Sequence, residues 1–173
     1  MAQLEAAGRI KAVITQNIDG LHQTAGSKNV LELHGSNWRQ YCTRCGARYG
    51  LEYILDDAHC PDGTIPICDR CGAIVRPDVV LYGEELNYDV IRASIKAIAA
   101  ADMLIVGGTS LSVYPAAGLL SYFKGDALVL INKTETQADG KATLVIREPI
   151  IWVISMPIKR SSHHCRRSSQ SLL

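Results

Sequence analysis

The chain has 173 residues and a formal net charge of +1, and 47% of its residues are hydrophobic and 20% charged. This composition is typical of one globular domain. The net charge lacks the strong basic excess expected of a nucleic-acid-binding protein, so that class is excluded. The longest apolar run, 150–158, falls short of the roughly 20 residues that cross a membrane. The N-terminus lacks the pattern of a secretion signal, so we expect a cytoplasmic protein with neither a nucleic-acid nor a membrane partner.

Short apolar segments predict the first strands and a helix. The run 11–16 is rich in β-branched residues and predicts a buried strand, and 30–33 predicts a second extended segment. Asn87 is placed to cap a helix whose apolar residues recur at three- and four-residue spacing. These residues are Ile91, Ile95 and Ile98.

Alternating strand and helix signals continue towards the C-terminus. The segment 103–106 predicts a strand buried on both faces, and 127–131 and 144–146 predict two more strands. Pro115 suits the first turn of an intervening helix and Gly125 its end. This order predicts an α/β protein with a parallel sheet and helices on both faces.

Polar and glycine residues follow three of the predicted strands. Asn17 follows the first strand, 107–110 follow the strand at 103–106, and Asn132 follows the strand at 127–131. Ligands of parallel α/β sheets bind at the carboxyl ends of the strands. The sequence therefore predicts one binding site formed by these loops.

The stretch between residues 36 and 77 contains five of the six cysteines and predicts a metal-stapled insert that could not form a core alone. Four of them form two Cys-x-x-Cys pairs 22 residues apart, each followed by glycine: Cys42 with Cys45, and Cys68 with Cys71. Two such pairs complete a tetrahedral zinc site, which we expect to be structural because four cysteines leave no open coordination position. Two disulfides or four free thiols are the alternatives. Cys60 and Cys165 remain outside this set, and Cys60 is predicted to be a loop thiol.

Five segments together resemble the sirtuin family, most closely its bacterial members. They are Thr15–His22, Leu33–Gly35 before the first cysteine pair, Arg76–Glu84, Gly108–Pro115, and Ile131 with Asn132. The resemblance extends over residues 2–150. It implies an NAD-dependent protein-lysine deacylase that uses acyl-lysine peptides and NAD, and forms nicotinamide and O-acyl-ADP-ribose.

The resemblance also implies a role for each matching residue. His34 is the expected catalytic base, which activates a ribose hydroxyl of NAD, and an imidazole can exchange a proton near neutral pH. The expected NAD-binding residues are Gln16, Asn17, Asp19, Gly108, Thr109, Ser110 and Asn132. The expected acyl-peptide contacts are Val79, Val80, Leu81, Tyr82 and Gly83 on one side, with Val113 and Tyr114 on the other. His22 is expected to be structural.

The resemblance predicts an incomplete Rossmann-like fold. Sirtuins begin with a strand and a Gly-Ala-Gly-x-Ser phosphate loop, and this chain contains neither. We therefore expect an N-terminally truncated chain with weak or no activity alone and poor stability. The predicted organisation is a Rossmann-like core at 1–36 and 78–150, an inserted zinc module at 37–77, and an atypical disordered tail at 151–173.

Three other functions remain open at the level of the sequence. A zinc-ribbon interaction module would use the metal site to bind a partner, but it gives no reason for His34, Asn17, Asp19 and Asn132 to occur together. A zinc-stabilised fragment without NAD binding is the second alternative. ADP-ribosyl transfer at the same site is the third.

Overall fold

Parallel and antiparallel strands form separate sheets in the part of the chain that the structure describes, residues 1–155 of a computed structural model. The α-helices are α1 Ala2–Ala6, α2 Leu21–Thr24, α3 Leu51–Leu55, α4 Tyr88–Ala99 and α5 Ile150–Ser155. The strands are β1 Val13–Thr15, β2 Val30–Glu32, β3 Gly35–Cys42, β4 Arg48–Gly50, β5 Val75–Val79, β6 Met103–Gly107, β7 Ala127–Ile131 and β8 Leu144–Ile146. Three 3₁₀-helices span Asp57–His59, Ala116–Tyr122 and Asp139–Lys141.

The parallel strands confirm the predicted α/β class. Strands β1 and β2 pair in parallel, and β6, β7 and β8 form a second parallel sheet in that order. An antiparallel sheet in the order β4-β3-β5 carries the cysteine-rich segment. The predicted strands 11–16, 30–33, 103–106, 127–131 and 144–146 are all present to within two residues at each end. Within residues 1–155 they belong to two parallel sheets and not to one.

Helix α4 joins the two parallel sheets through one apolar cluster. Its residue Ile98 is buried with Leu33, next to β2, and with Ala116 and Leu119 of the 3₁₀-helix. The Oδ1 atom of Asn87 accepts hydrogen bonds from the two backbone N–H groups at the start of α4, at 2.9 and 3.2 Å. The predicted cap is therefore confirmed, and it fixes where the helix begins.

The prediction that strand β6 is buried on both faces is wrong. The Met103 and Ile105 side chains are 53% and 49% exposed. The alternate residues Leu104 and Val106 pack against the buried Leu130 cluster of β7. The strand thus buries one face, but its uniformly apolar sequence conceals the period of two that usually identifies a half-buried strand.

The helix predicted after Pro115 is present as a 3₁₀-helix. Pro115 precedes this helix, which ends at Tyr122, three residues before Gly125. Gly118 lies in its interior, where glycine disfavours an α-helix by about 1 kcal/mol relative to alanine. Ser121 also donates its side-chain hydroxyl to the Gly118 carbonyl at 2.7 Å.

Strands β3 and β5 connect the cysteine-rich module to the rest of the chain. The domain boundaries predicted at 36/37 and 77/78 both lie inside these strands, which pair with each other from Gly35 opposite Val79 to Cys42 opposite Val75. The module also has a small buried cluster of its own around Cys42, Cys68 and Val75. The predicted boundaries therefore fall inside two strands that pair with each other on both sides of an irregularity between Ser36 and Gln40.

The tail predicted to be disordered begins with a helix. Residues 150–155 form α5, so the prediction is wrong for 151–155. The Ile150 side chain lies against Gly107, where an added Cβ would be 3.0 Å from the Ile150 Cγ1 atom. The rest of the predicted tail, together with Cys165, lies outside the described residues.

Candidate functional site

A short loop follows β1 and carries the first group of predicted NAD-binding residues. The Thr15 hydroxyl accepts a hydrogen bond from the Asn17 backbone N–H at 3.1 Å, which turns the chain as the strand ends. The Asp19 carboxylate accepts one from the Leu21 N–H at 3.0 Å, at the start of α2. Asn17 and Asp19 are exposed, so their side chains are accessible to a ligand, and Gln16 is half-buried.

His34 lies between β2 and β3 and is oriented by the same loop. Its Nδ1 atom is 3.0 Å from the Gln16 carbonyl oxygen. A carbonyl can only accept, so Nδ1 carries the proton of the neutral ring, and Nε2 is left with a lone pair. The half-buried imidazole is thus held in the tautomer that a general base requires at Nε2.

Glycine at position 35 allows β5 to approach beside the histidine. Gly35 has φ of 77°, and an added Cβ would collide with the Asp78 carbonyl. The Val80 N–H also donates to the His34 carbonyl at 3.0 Å. The backbone on both sides of the imidazole is therefore fixed by β3–β5 pairing.

Three donors from the segment 34–38 bind carbonyl oxygens of the loop 16–19. The first is His34, which bonds to Gln16 as described above. The Asn37 N–H donates to Ile18 at 3.0 Å, and the Trp38 indole Nε1–H donates to Asp19 at 2.9 Å. Sequence reasoning missed Asn37 and Trp38, because these contacts depend on an irregularity in β3 that has no sequence signature.

The second group of predicted NAD-binding residues follows β6 and β7. Gly108 has φ of 67° and donates its N–H to the Ile131 carbonyl at 3.0 Å, which places it beside Asn132. The Thr109 hydroxyl accepts from the Leu111 N–H at 3.2 Å, and the Ser110 hydroxyl is 2.6 Å from that of Ser112. The structure thus brings together the loops after β6 and β7.

The predicted peptide-binding strand is shorter than expected. Strand β5 ends at Val79, and the chain turns at Tyr82 and Gly83. The turn closes through the Glu84 carboxylate, which accepts from the Leu81 N–H at 2.9 Å and pairs with Arg76 at 2.7 Å. Bonding to Arg76 holds the pKa of the Glu84 carboxyl below its ordinary value.

Several predicted peptide contacts are open to solvent. Leu81 and Tyr82 are 56% and 108% exposed, and Val113 and Tyr114 are 50% and 73% exposed. A core strand, the alternative interpretation of the apolar run Val79–Leu81, does not fit the exposed Leu81. Exposed apolar and aromatic side chains on two separate segments could contact a peptide laid between them.

The four paired cysteines form one cluster, which fits a zinc ion. Their sulfur atoms all lie within 4.8 Å of one another. The Cys42–Cys71 and Cys45–Cys68 sulfurs are 3.4 and 3.6 Å apart. A tetrahedral zinc with Zn–S bonds of about 2.3 Å requires sulfurs about 3.8 Å apart, so only small adjustments are needed. Cys60 lies apart from this group, and its sulfur is 4.0 Å from the Ile54 carbonyl.

The thiols of the cluster share protons unequally. Burial alone would raise the pKa of Cys68, but hydrogen bonding with the Tyr49 hydroxyl and with backbone N–H groups outweighs it and lowers that pKa to about 6. The Ala47 N–H alone would lower the pKa of Cys45, but proton sharing with the other sulfurs and burial raise it to about 12. Zinc binds thiolates, so metal binding at this cluster releases the shared protons.

Similarity to known proteins agrees with this geometry. The sequence profile of the Sir2 family matches residues 1–115. The chain is 59% identical over 158 residues to the NAD-dependent protein deacetylase of Clostridium acetobutylicum, and 58% identical over 159 residues to that of Clostridium perfringens. Each alignment covers 91% of this chain and 63% of the relative. The chain thus spans less than two thirds of these relatives.

Solved structures show the same likeness in three dimensions. A complex described as "Sir2-p53 peptide-NAD+" matches with a TM-score of 0.80 and 44% identity, over 88% of this chain and 63% of the other. A "Sir2 bound to acetylated peptide" matches with a TM-score of 0.81 and 42% identity, over 88% of this chain and 64% of the other. The fold and site define a sirtuin-like protein, and this chain belongs to the Sir2 family. Across residues 1–155, no helix is long and apolar enough to cross a membrane.

Proposed function

We propose that this chain carries the catalytic and peptide-binding part of an NAD-dependent protein-lysine deacylase. The main support is His34, whose Nδ1 is bonded to the Gln16 carbonyl at 3.0 Å, beside a loop that exposes Asn17 and Asp19. This arrangement leaves Nε2 free to accept a proton. Relatives that share 59% and 58% identity are NAD-dependent protein deacetylases.

The residues of the two loops suit the parts of NAD. An exposed amide and carboxylate, from Asn17 and Asp19, can hydrogen-bond a carboxamide and ribose hydroxyls. Gly108 is exposed and has no side chain, so a ligand can approach its backbone directly. The Thr109 and Ser110 hydroxyls suit ribose or phosphate oxygens. Asn132 uses its Nδ2 to bond Thr134 at 3.1 Å, which leaves its Oδ1 to accept from a ribose hydroxyl.

In this proposal the protein moves one proton and holds two substrates. NAD, when bound, supplies the ribose carbon to which the acyl oxygen bonds as nicotinamide leaves. His34 Nε2 accepts the proton of a ribose hydroxyl, which then takes up the acyl group. The Leu81–Gly83 turn and the Val113–Tyr114 segment hold the acyl-lysine peptide between them. The leaving lysine nitrogen takes up the proton, and one water supplies the oxygen that the acyl group needs when the acyl oxygen stays on the ribose. The products are then the free lysine, nicotinamide and O-acyl-ADP-ribose.

The cysteine cluster has a structural role in this proposal. Four sulfurs leave no coordination position for a substrate, so zinc bound there holds the C-terminal end of β3 and the loop before β5 together. The five described cysteines are all free thiols. A cluster that depends on reduced thiols supports a reducing compartment, and we propose the cytoplasm.

Release of nicotinamide separates this function from the alternatives. We expect slow release that requires the 173-residue protein, NAD and an acetyl-lysine peptide together. Release without the peptide would indicate simple NAD cleavage, and ADP-ribose attached to the peptide would indicate ADP-ribosyl transfer. No release and no NAD binding by the folded, zinc-loaded protein would favour the zinc-stabilised fragment.

A further inference from the structure

Strand β3 contains an irregularity next to the proposed NAD site. Ser36 pairs with Asp78 of β5, and Gln40 pairs with Pro77. Four steps along β3 therefore correspond to one step along β5, so the residues 37–39 bulge out of the pairing. Bulges of this kind redirect side chains and backbone groups away from the sheet.

Hydrogen bonds between residues of β3 itself stabilise the bulge. The Gln40 side chain is fully buried and donates its Nε2–H to the Asn37 carbonyl at 2.6 Å. The Ser36 hydroxyl accepts from the Trp38 backbone N–H at 3.2 Å. These bonds fix the shape of the bulge and leave the Asn37 N–H and the Trp38 indole directed at the loop after β1.

The Trp38 indole contacts two consecutive residues of that loop. Its Nε1–H donates to the Asp19 carbonyl at 2.9 Å. It also lies against Gly20, where an added Cβ would be 2.5 Å from Nε1 and 2.8 Å from Cδ1. Because Gly20 has no side chain and adopts φ of 68°, the ring can pack on the backbone directly.

We propose that Trp38 is a positioning residue, which holds the Asn17–Gly20 loop in the conformation that receives the nicotinamide end of NAD. This inference rests on the proposed function, because it assigns Asn17 and Asp19 to NAD. Without the indole bond, the loop keeps only the Ile18 and Gln16 carbonyl contacts to β3 and His34. The loop then samples more conformations, and NAD binds the competent fraction alone.

Two variants and two measurements test whether Trp38 positions the Asn17–Gly20 loop. Trp38→Phe keeps an aromatic ring but removes the Nε1–H donor, and Trp152→Phe is the matched control at the only other tryptophan. The first measurement is hydrogen–deuterium exchange of the peptide that contains residues 16–21. The second is the Kd for NAD by calorimetry. Both use the zinc-loaded 173-residue protein.

We expect Trp38→Phe to speed exchange in residues 16–21 and to weaken NAD binding, each by roughly two- to tenfold, as for the loss of one hydrogen bond. Exchange around the four-cysteine cluster, Cys42 to Cys71, should stay unchanged, and Trp152→Phe should resemble the parent in both measurements. Unchanged loop exchange in Trp38→Phe would overturn the inference. Faster exchange with an unchanged Kd would also overturn it, because the residue would then be only structural.

The outcome for the parent protein separates the two proposals. A parent that binds NAD while Trp38→Phe behaves identically contradicts the role of Trp38 but leaves the proposed function standing. A folded parent that binds no NAD contradicts the proposed function, and the role of Trp38 in NAD binding fails with it. Rescue of the parent Kd by a third variant, Trp38→His, would support the bond itself, since an imidazole N–H can also donate.

Discussion

At the scale of single residues, the site depends on backbone contacts around His34. The Gln16 carbonyl sets the tautomer of the imidazole at 3.0 Å, and β5 fixes the chain on its other side through the bond from Val80 to the His34 carbonyl. Neither contact involves a side chain other than the imidazole itself. Substitutions that move this backbone should therefore matter as much as substitutions of the site side chains.

Gly35 gives a direct test of that view. Gly35→Ala would place a Cβ against the Asp78 carbonyl in addition to its strained φ of 77°. We expect a loss of about 2–4 kcal/mol in the free energy of unfolding, since strain costs about 1–3 kcal/mol and the clash adds to it. Urea unfolding of the zinc-loaded protein measures this loss.

The matched control for Gly35 is a glycine of similar backbone but open surroundings. Gly63 has φ of 73° and no heavy atom within 4 Å of an added Cβ. Gly63→Ala should therefore show the strain alone, at about 1 kcal/mol. Equal losses in the two variants would contradict a special role for the β3–β5 approach at Gly35.

The side chains of the proposed site can be named from sequence motifs, but the residues that hold them cannot. The positions of His34, Asn17 and Asp19 follow from motifs that can be read along the chain. Trp38 bonds to Asp19 only because residues 37–39 bulge from β3. Such a bulge depends on strand register, which arises from packing between distant segments and has no local pattern.

At the scale of secondary-structure elements, the start of α4 is set by one side chain. The Asn87 Oδ1 accepts from the Asp89 and Val90 N–H groups at 2.9 and 3.2 Å. We expect Asn87→Ala to lower the free energy of unfolding by about 1 kcal/mol. Asn87→Asp keeps the acceptor and should cost little, so equal losses in the two variants by urea unfolding would contradict the cap.

Substitution of a cysteine in the zinc module is the second test at the scale of elements. Cys68→Ala removes one of four sulfurs that lie within 4.8 Å of one another, so bound zinc measured by mass spectrometry should fall well below one ion per chain. Circular dichroism should show loss of structure, because metal affinity here contributes to folding. Cys60→Ala, outside the cluster, should keep one zinc; a Cys68→Ala protein with full zinc would contradict the assignment.

Strand β6 shows why burial was harder to predict than secondary structure. Its five residues are Met, Leu, Ile, Val and Gly, so the strand itself is evident from the sequence. The same composition hides which face is buried, and Met103 and Ile105 proved to be about half exposed. Burial depends on the neighbouring elements, which a run of uniformly apolar residues does not specify.

At the scale of the whole molecule, the α/β class was predictable and the grouping of strands was not. Loops that follow parallel strands carry both groups of proposed NAD-binding residues, as expected for this class. Each parallel pair joins consecutive strands, so the grouping into two sheets within residues 1–155 depends on whether a strand of the first sheet pairs with a strand of the second, and these strands lie far apart in the chain. The buried cluster around Ile98 and Leu119 connects the two groups.

The central proposal is that His34 acts as the base that removes a proton from a ribose hydroxyl of NAD as this hydroxyl takes up the acyl group of an acyl-lysine peptide. The most direct measurement is mass-spectrometric detection of O-acetyl-ADP-ribose after zinc-loaded protein is mixed, in stoichiometric amount, with NAD and an acetyl-lysine peptide. His34→Ala is the control, because it removes the proposed base and leaves the zinc cluster intact. We predict a small but detectable yield of product that is absent in His34→Ala. No product from folded parent protein, or equal product from the variant, would contradict the claim.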